Sequence, residues 1–321
     1  MAEATHPDHF FDAAIIGGGP AGMTAGIYAA RANLRTLLVQ GASTVSQITI
    51  TDMIENYPGF PEGINGFDLV ERLKTQATQF GLEILSEDTT SLEPGRRGDL
   101  PVWRIGAGGK TIEALSVVLA TGASWRRLGV PGEEQFIGRG VSFCATCDGP
   151  FFRNREVVVV GGGNTAVQEA LFLTHFAGKV TVVHRRDRLR AAGILQDRAF
   201  ANEKIAFAWN SVVQEILGKE TVEAVRLRDV KTGEEREIPT EGVFLFVGLI
   251  PNTDLVRDLA DREPDGAVRV DRSMRTSAPG LFACGDCTAT PLRQVITACG
   301  DGAVAAYSAQ LYVEDLKGMA Y

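Results

Sequence analysis

One pattern occurs twice in this chain and constrains its fold more than any other feature. It is an apolar strand, then small residues spaced G-x-G-x-x-[GA], then a helix rich in small residues. Asp12–Ala32 read DAAIIGGGPAGMTAGIYAARA, with Ala13–Ile16 as the strand, Gly17, Gly19 and Gly22 in the spacing, and Thr36–Val39 as the next strand. Arg155–Val183 repeat the plan. Val157–Val160 is the strand, Gly161, Gly163 and Ala166 hold the spacing, and Lys179–Val183 is the second strand. Thr165–Ala177 reads as the helix, with Gly178 where a C-terminal cap belongs. The first small residue lets the strand turn sharply, the second lets backbone approach a pyrophosphate, and the third lets helix and strand pack closely. The helix N-terminus then offers free N–H groups to phosphates. A lone G-x-G-x-x-G says little, but between a strand and a helix it is a dinucleotide signature. Two copies predict two dinucleotides, the arrangement needed to pass hydride between a nicotinamide and a flavin.

At 321 residues the chain has room for about two domains. The 36 glycines follow no collagen period, so the excess sits in specific turns. A formal charge of −8 argues against sequence-independent nucleic-acid binding, which needs a basic surface. Met1–His9 has neither a basic start nor an apolar stretch, so it does not read as a signal peptide. No apolar run approaches the ~20 residues of a spanning helix. The expected compartment is the cytoplasm, with no membrane partner.

The two units differ where the second strand ends. An NAD signature expects an acid about 20 residues after the first glycine. After Gly161 that place is taken by His184, Arg185, Arg186 and, slightly later, Arg190. Arginines there fork onto a 2′-phosphate that a carboxylate would repel, which favours NADPH. The first unit has neither acid nor arginines. Its second strand ends at Gln40, able to make a neutral hydrogen bond to a ribose, and FAD is the better fit.

Between the two signatures lies GVSFCATCDG, with Cys144 and Cys147 two residues apart and Asp148 adjacent. That spacing, with the second cysteine entering a helical turn, brings two sulfurs into disulfide range. A helix N-terminus favours the thiolate, and a neighbouring carboxylate can move a proton during exchange. The five cysteines are not a secreted disulfide framework. Cys284 and Cys287 form a second C-x-x-C, but it lies too far along the chain from the first for a four-cysteine zinc site. With Cys299 they read as small buried hydrophobes, and no metal is expected.

Taken together, the motifs resemble the low-molecular-weight thioredoxin reductases, flavoprotein disulfide reductases, nearly from end to end. The resemblance rests on GGGPAG (Gly17–Gly22), ENYPGFP (Glu55–Pro61), ATGAS (Ala120–Ser124), CATCDG (Cys144–Gly149) and GGGNTA (Gly161–Ala166). HRRDRLRA (His184–Ala191), GLIPNT (Gly248–Thr253) and GDC…LRQVITACGDG (Gly285–Gly302) complete it. It implies an α/β fold of two Rossmann-like, three-layer ββα dinucleotide-binding domains, one inserted in the other. FAD would be held by 1–124 and 253–321, and NADPH by 125–252, which also carries the redox cysteines. The FAD contacts implied include Pro20, Ala21, Gln47, Asn56, Thr121, Gly122, Gly285, Asp286, Arg293 and Gln294. The NADPH contacts implied include Asn164 and Thr165.

The resemblance also implies a homodimer whose NADPH domain swings about hinges near Ala123–Arg126 and Leu249–Thr253. Electrons would pass from NADPH to FAD, to the Cys144–Cys147 disulfide, and then to thioredoxin or a thioredoxin-like protein. Cys147 would face the flavin, Cys144 would attack thioredoxin, and Asp148 would be the proton donor. The chain departs from the family at Val45-Ser46-Gln47, where Gly-Gly-Gln is usual, at Cys284 and Cys287, usually Ala and Val, and at Pro150, where many relatives have an aromatic.

Overall fold

A computed structural model describes residues 9–42, 46–50 and 53–319, with side chains omitted at 50 and 147. The expectations for Met1–Asp8 and for Val45 lie outside the described residues, as does the side chain of Cys147. The chain divides into two compact units, Met1–Ser124 with Ile250–Tyr321, and Trp125–Leu249. The return crossing therefore falls between Leu249 and Ile250, ahead of the 252/253 boundary expected. At the crossings, β7 (Ala123–Trp125) and β16 (Leu249–Pro251) pair as a two-stranded ribbon.

In the first unit β1 (Phe10–Ile16) leads through α1 (Pro20–Arg31) to β2 (Thr36–Gln40), parallel to β1 with Ile16 opposite Val39. Four of the five β2 residues are buried, as expected of a parallel strand covered on both faces. After α2 (Gly66–Gln79), β3 (Glu83–Ser86) extends the parallel sheet beyond β2. On the other side of β1 lies β6 (Lys110–Leu119), which has two different partners along its far edge. Its first half pairs antiparallel with β5 (Leu100–Ala107), which pairs in turn with β4 (Thr89–Arg97). Its last residues pair with β17 (Leu281–Ala283), so the returning chain completes the parallel sheet. The final helix, α6 (Val295–Leu316), packs on α1. One core lies between sheet and helices, around Ile15, Leu38, Leu115 and Ala305. A second lies on the opposite face, where Trp103 and Ile105 of the antiparallel layer meet Val117 and Val268.

The second unit repeats this build. Its five-stranded parallel sheet runs β11 (Ile205–Ala208), β10 (Lys179–Val183), β9 (Glu156–Val160), β15 (Gly242–Leu245), β8 (Val141–Ser142). One face carries α3 (Ala145–Asp148), α4 (Asn164–Leu173) and α5 (Gly193–Phe200). The other is covered by the antiparallel meander β12 (Ser211–Gly218), β13 (Val222–Asp229), β14 (Glu235–Pro239). Helix α4 ends at Leu173, short of the Ala177 expected, and Gly178 does not cap it. Thr174 takes the C-cap position, and Lys204 Nζ donates to the carbonyls of Thr174 (2.8 Å) and Ala177 (3.1 Å). A cation at a helix C-terminus satisfies orphan carbonyls and opposes the negative end of the dipole. Among the described residues no helix is long and apolar enough to cross a membrane.

Candidate cofactor sites and the redox cysteines

The strand-to-helix turn of the first unit is shaped by contact with backbone. Gly17 has φ +116°, and a Cβ there would lie 2.2 Å from the Ala120 carbonyl oxygen. A Cβ on Gly22 would lie 1.9 Å from the Gly17 carbonyl oxygen. Beside them, Gly19 faces open space, with Ser46 Oγ 3.6 Å from where its Cβ would be. Gly19 is the N-cap of α1, Pro20 follows, and no side chain caps the helix. This is an open cradle at a helix N-terminus, and it fits the pyrophosphate of a dinucleotide.

The Gly285–Cys287 turn meets the same helix start, and the other expected residues of this unit are bonded within the protein. A Cβ on Gly285 (φ +72°) would meet Ala21 Cβ at 2.9 Å, which places the Gly285–Cys287 turn against α1. The Asp286 carboxyl accepts no hydrogen bond among the described residues, and burial raises its pKa while Arg293 opposes the rise. Asn56 Nδ2 donates to Gln294 Oε1 at 2.8 Å. Gln294 also caps α6 in a reciprocal box with Thr297. Gln47 Nε2 donates to the Ala123 carbonyl. Gln40 Nε2 donates to Ser86 Oγ at 3.0 Å, so this end of its amide is already partnered within the protein.

Thr121 and Gly122 are clamped by Asn252, which sequence reasoning placed only within an expected hinge segment. Asn252 receives a bond from Thr121 Oγ1 at its carbonyl, donates Nδ2 to the Thr121 carbonyl (3.0 Å), and donates its N–H to the Gly122 carbonyl (3.0 Å). It lies in GLIPNT, but nothing local to that motif reveals partners so distant in sequence.

In the second unit Gly161 has φ +152°, and its Cβ would lie 2.5 Å from the Phe246 carbonyl oxygen. Gly163 caps α4 without a side-chain bond and has open space around it. Ala166 is buried beside Gly161, and Thr165 is exposed. Asn164 Oδ1 accepts the Ala192 N–H (2.7 Å), and the Arg190 N–H donates to the Gly162 carbonyl (2.7 Å), so the arginine-bearing loop is tied to the glycine turn. Arg185, Arg186 and Arg190 are exposed and join no ion pair among the described residues. His184 is 5% exposed, and its Nε2 has no partner. Burial, then the charges of Arg190, Arg185 and Arg186, hold its pKa below the usual histidine range. A cluster of unpaired guanidinium groups above an open helix N-terminus fits a phosphorylated ribose.

Cys144 stands between β8 and α3 and is disulfide-bonded. Its N–H donates to Ser142 Oγ (3.0 Å), whose hydroxyl donates back to the Cys144 carbonyl (3.1 Å). Buried Ala145 anchors α3 in the helix-side core, Asp148 is half-buried, and Phe151 just beyond is 74% exposed. Cys284, Cys287 and Cys299 are free and buried. Burial pushes the Cys284 thiol up and the Cys287 thiol to about 11, which disfavours their thiolates at neutral pH. Cys287 instead donates its S–H to the Cys284 carbonyl at 3.3 Å.

Two unlike dinucleotide cradles and a disulfide in one chain define a class, the flavin- and nicotinamide-linked disulfide oxidoreductases. A family model described as pyridine nucleotide-disulphide oxidoreductase matches residues 11–302, spanning both units. A thioredoxin reductase of Listeria innocua is 48% identical over 97% of this chain and 96% of its own. One of Treponema pallidum is 46% identical over 96% and 98%. The crystal structure of Lactococcus lactis thioredoxin reductase superposes with a TM-score of 0.91 at 44% identity, over 95% of this chain and 99% of that one. The chain belongs to the low-molecular-weight thioredoxin reductases within the pyridine nucleotide-disulphide oxidoreductase family. It is an oxidoreductase whose cofactors are FAD and NADPH.

Proposed function

We propose that the first unit holds FAD at the Gly17–Gly22 turn, with Thr121, Gly122 and the Gly285–Asp286 turn. The second unit holds NADPH at the Gly161–Ala166 turn, and Arg185, Arg186 and Arg190 select the 2′-phosphate. When bound, NADPH would supply a hydride and FAD the means of carrying its electron pair to the disulfide. Reduction opens the Cys144–Cys147 bond, and Asp148 carries a proton at the pair. The Cys144 thiolate then attacks one sulfur of the thioredoxin disulfide, forming a mixed disulfide and releasing the other thioredoxin sulfur, which takes up a proton. Cys147 attacks Cys144 Sγ, which restores the internal disulfide and frees reduced thioredoxin. Exposed Phe151, four residues beyond Cys147 in the chain, gives a thioredoxin-like partner an apolar contact.

The observation that carries this reading is a disulfide at Cys144 in the same chain as two different dinucleotide cradles. Cys144→Ser and Cys147→Ser test it. Each is expected to lower NADPH-dependent thioredoxin reduction at least ~10³-fold, because one sulfur cannot both attack and resolve. Near-normal turnover in both variants would overturn the reading. We also propose a homodimer, supported by Ile296, Val304, Tyr307 and Leu311, which leave an apolar face of α6 exposed. The free thiols of Cys284, Cys287 and Cys299 support a reducing, cytoplasmic setting.

A further inference from the structure

Beside the backbone bonds from the Thr288 N–H to the Gly285 carbonyl (3.0 Å) and from the Val268 N–H to the Cys287 carbonyl (2.9 Å), three side chains bond to the backbone of the Gly285–Cys287 turn. Thr288 Oγ1 donates to the Gly285 carbonyl at 2.8 Å, and Arg293 Nε to the Asp286 carbonyl at 3.4 Å. Both come from residues just downstream in the chain. The third runs from the Gly285 N–H to Asp301 Oδ2, at 3.3 Å, and ties the turn to the body of α6. Helix α6 is rigidly placed at that level. Gly302, next to Asp301, lies so close to α1 that a Cβ would be 2.2 Å from the Ala21 carbonyl oxygen. The start of α1, the Asp286 turn and α6 therefore meet at one point, and Asp301 supplies the polar link there.

We propose that Asp301 is a positioning residue of the FAD site. By accepting the Gly285 N–H it fixes the left-handed turn that presents the Asp286 carboxyl. This rests on the reading that the first unit holds FAD at that turn. An acceptor is what the geometry asks for, and a negative charge is not. Asp301 and Asp286 are like-charged neighbours, Arg293 is the cation that opposes the rise at Asp286, and burial raises the pKa of both acids. A neutral acceptor of the same shape should hold the turn as well as the acid does.

Asp301→Asn keeps shape and an acceptor, whereas Asp301→Leu keeps approximate shape and removes the acceptor. Full-length holoenzymes are diluted, and FAD release is followed by recovery of flavin fluorescence, with NADPH affinity measured in parallel. Asp301→Leu should release FAD about 10-fold faster, from loss of one acceptor to a part-buried N–H. Asp301→Asn should stay within about 3-fold of wild type, and NADPH affinity should be unchanged in both. Asp286→Ala is the control on the underlying reading. Faster release in Asp286→Ala with wild-type release in Asp301→Leu overturns the role of Asp301 alone. Equal acceleration in the Asn and Leu variants overturns it too, because charge or packing would then be responsible. Wild-type release in Asp286→Ala overturns the placement of FAD at this turn, and this inference with it.

Discussion

The two dinucleotide units use one backbone mould and differ in what lies over it. In both, the first glycine sits under the carbonyl of the neighbouring parallel strand's end, that of Ala120 in one and Phe246 in the other. In both, the middle glycine lies beneath the side chain that ends the second strand. A Cβ on Gly18 would meet Gln40 Cβ at 2.7 Å, and one on Gly162 would meet His184 Cε1 at 2.5 Å. The extra glycine of each GGG run is therefore explained by the protein's own packing. What differs is the chemistry above it: a neutral amide in the first unit, a buried imidazole ringed by three arginines in the second. On the proposed reading the mould takes a dinucleotide, and the residues at the end of the second strand choose which.

The units also differ at the third small residue, and this gives the largest expected effect. Gly22 has no room for a methyl group, because the atom 1.9 Å away is backbone. Gly22→Ala should cost about 3 kcal/mol of local strain and lower FAD affinity ~100-fold or more. The second unit already carries Ala166 at this place, so Ala166→Gly should change NADPH affinity little. The FAD-to-protein ratio of purified Gly22→Ala and the NADPH affinity of Ala166→Gly check the contrast. FAD retention by Gly22→Ala would break the asymmetry.

Next in size is cofactor choice. Arg185→Ala or Arg186→Ala should each raise the KM for NADPH ~10-fold or more, because a charge-assisted contact contributes about 1.5–3 kcal/mol. The KM for NADH should not move, since NADH lacks the 2′-phosphate. Steady-state kinetics with both nucleotides decide it. Equal losses for both would show that the arginines shape the loop and do not read the phosphate.

Both strand–turn–helix units were legible in the sequence because their determinants are local: buried apolar runs for parallel strands, and glycines at fixed offsets. The end of α4 was not legible. Its cap is Lys204, which reaches the Thr174 carbonyl from 30 residues away and makes Gly178 unnecessary as a cap. The clamp made by Asn252 was missed for the same reason, since it holds Thr121 across 131 positions. Asp301 reads as one acid in a helix, and only packing against Gly285 gives it a task. Local chemistry thus reveals the cradles, while the clamps that hold their rims come from contacts distant in sequence.

The smallest effect isolates the two residues that occupy equivalent seats, Gln40 and His184. Burial and the flanking arginines hold the His184 pKa below the usual histidine value of 6.5, which favours the neutral imidazole in the folded chain. As pH falls through 6.5 the unfolded chain takes up a proton that the folded chain resists. The contribution of His184 is thus fully present above pH 6.5 and is lost as pH falls towards its folded pKa. Gln40 cannot titrate, so this source of acid lability belongs to the second unit alone. His184→Gln, which copies the first unit's residue into the second, should narrow the difference between the melting temperatures at pH 7.5 and pH 5.5. Hydrogen exchange at pH 5.5 should place the gain in β9, β10 and α4 and leave β1, β2 and α1 unchanged. An unaltered pH difference in His184→Gln would show that the two seats are equivalent in acid as well as in shape.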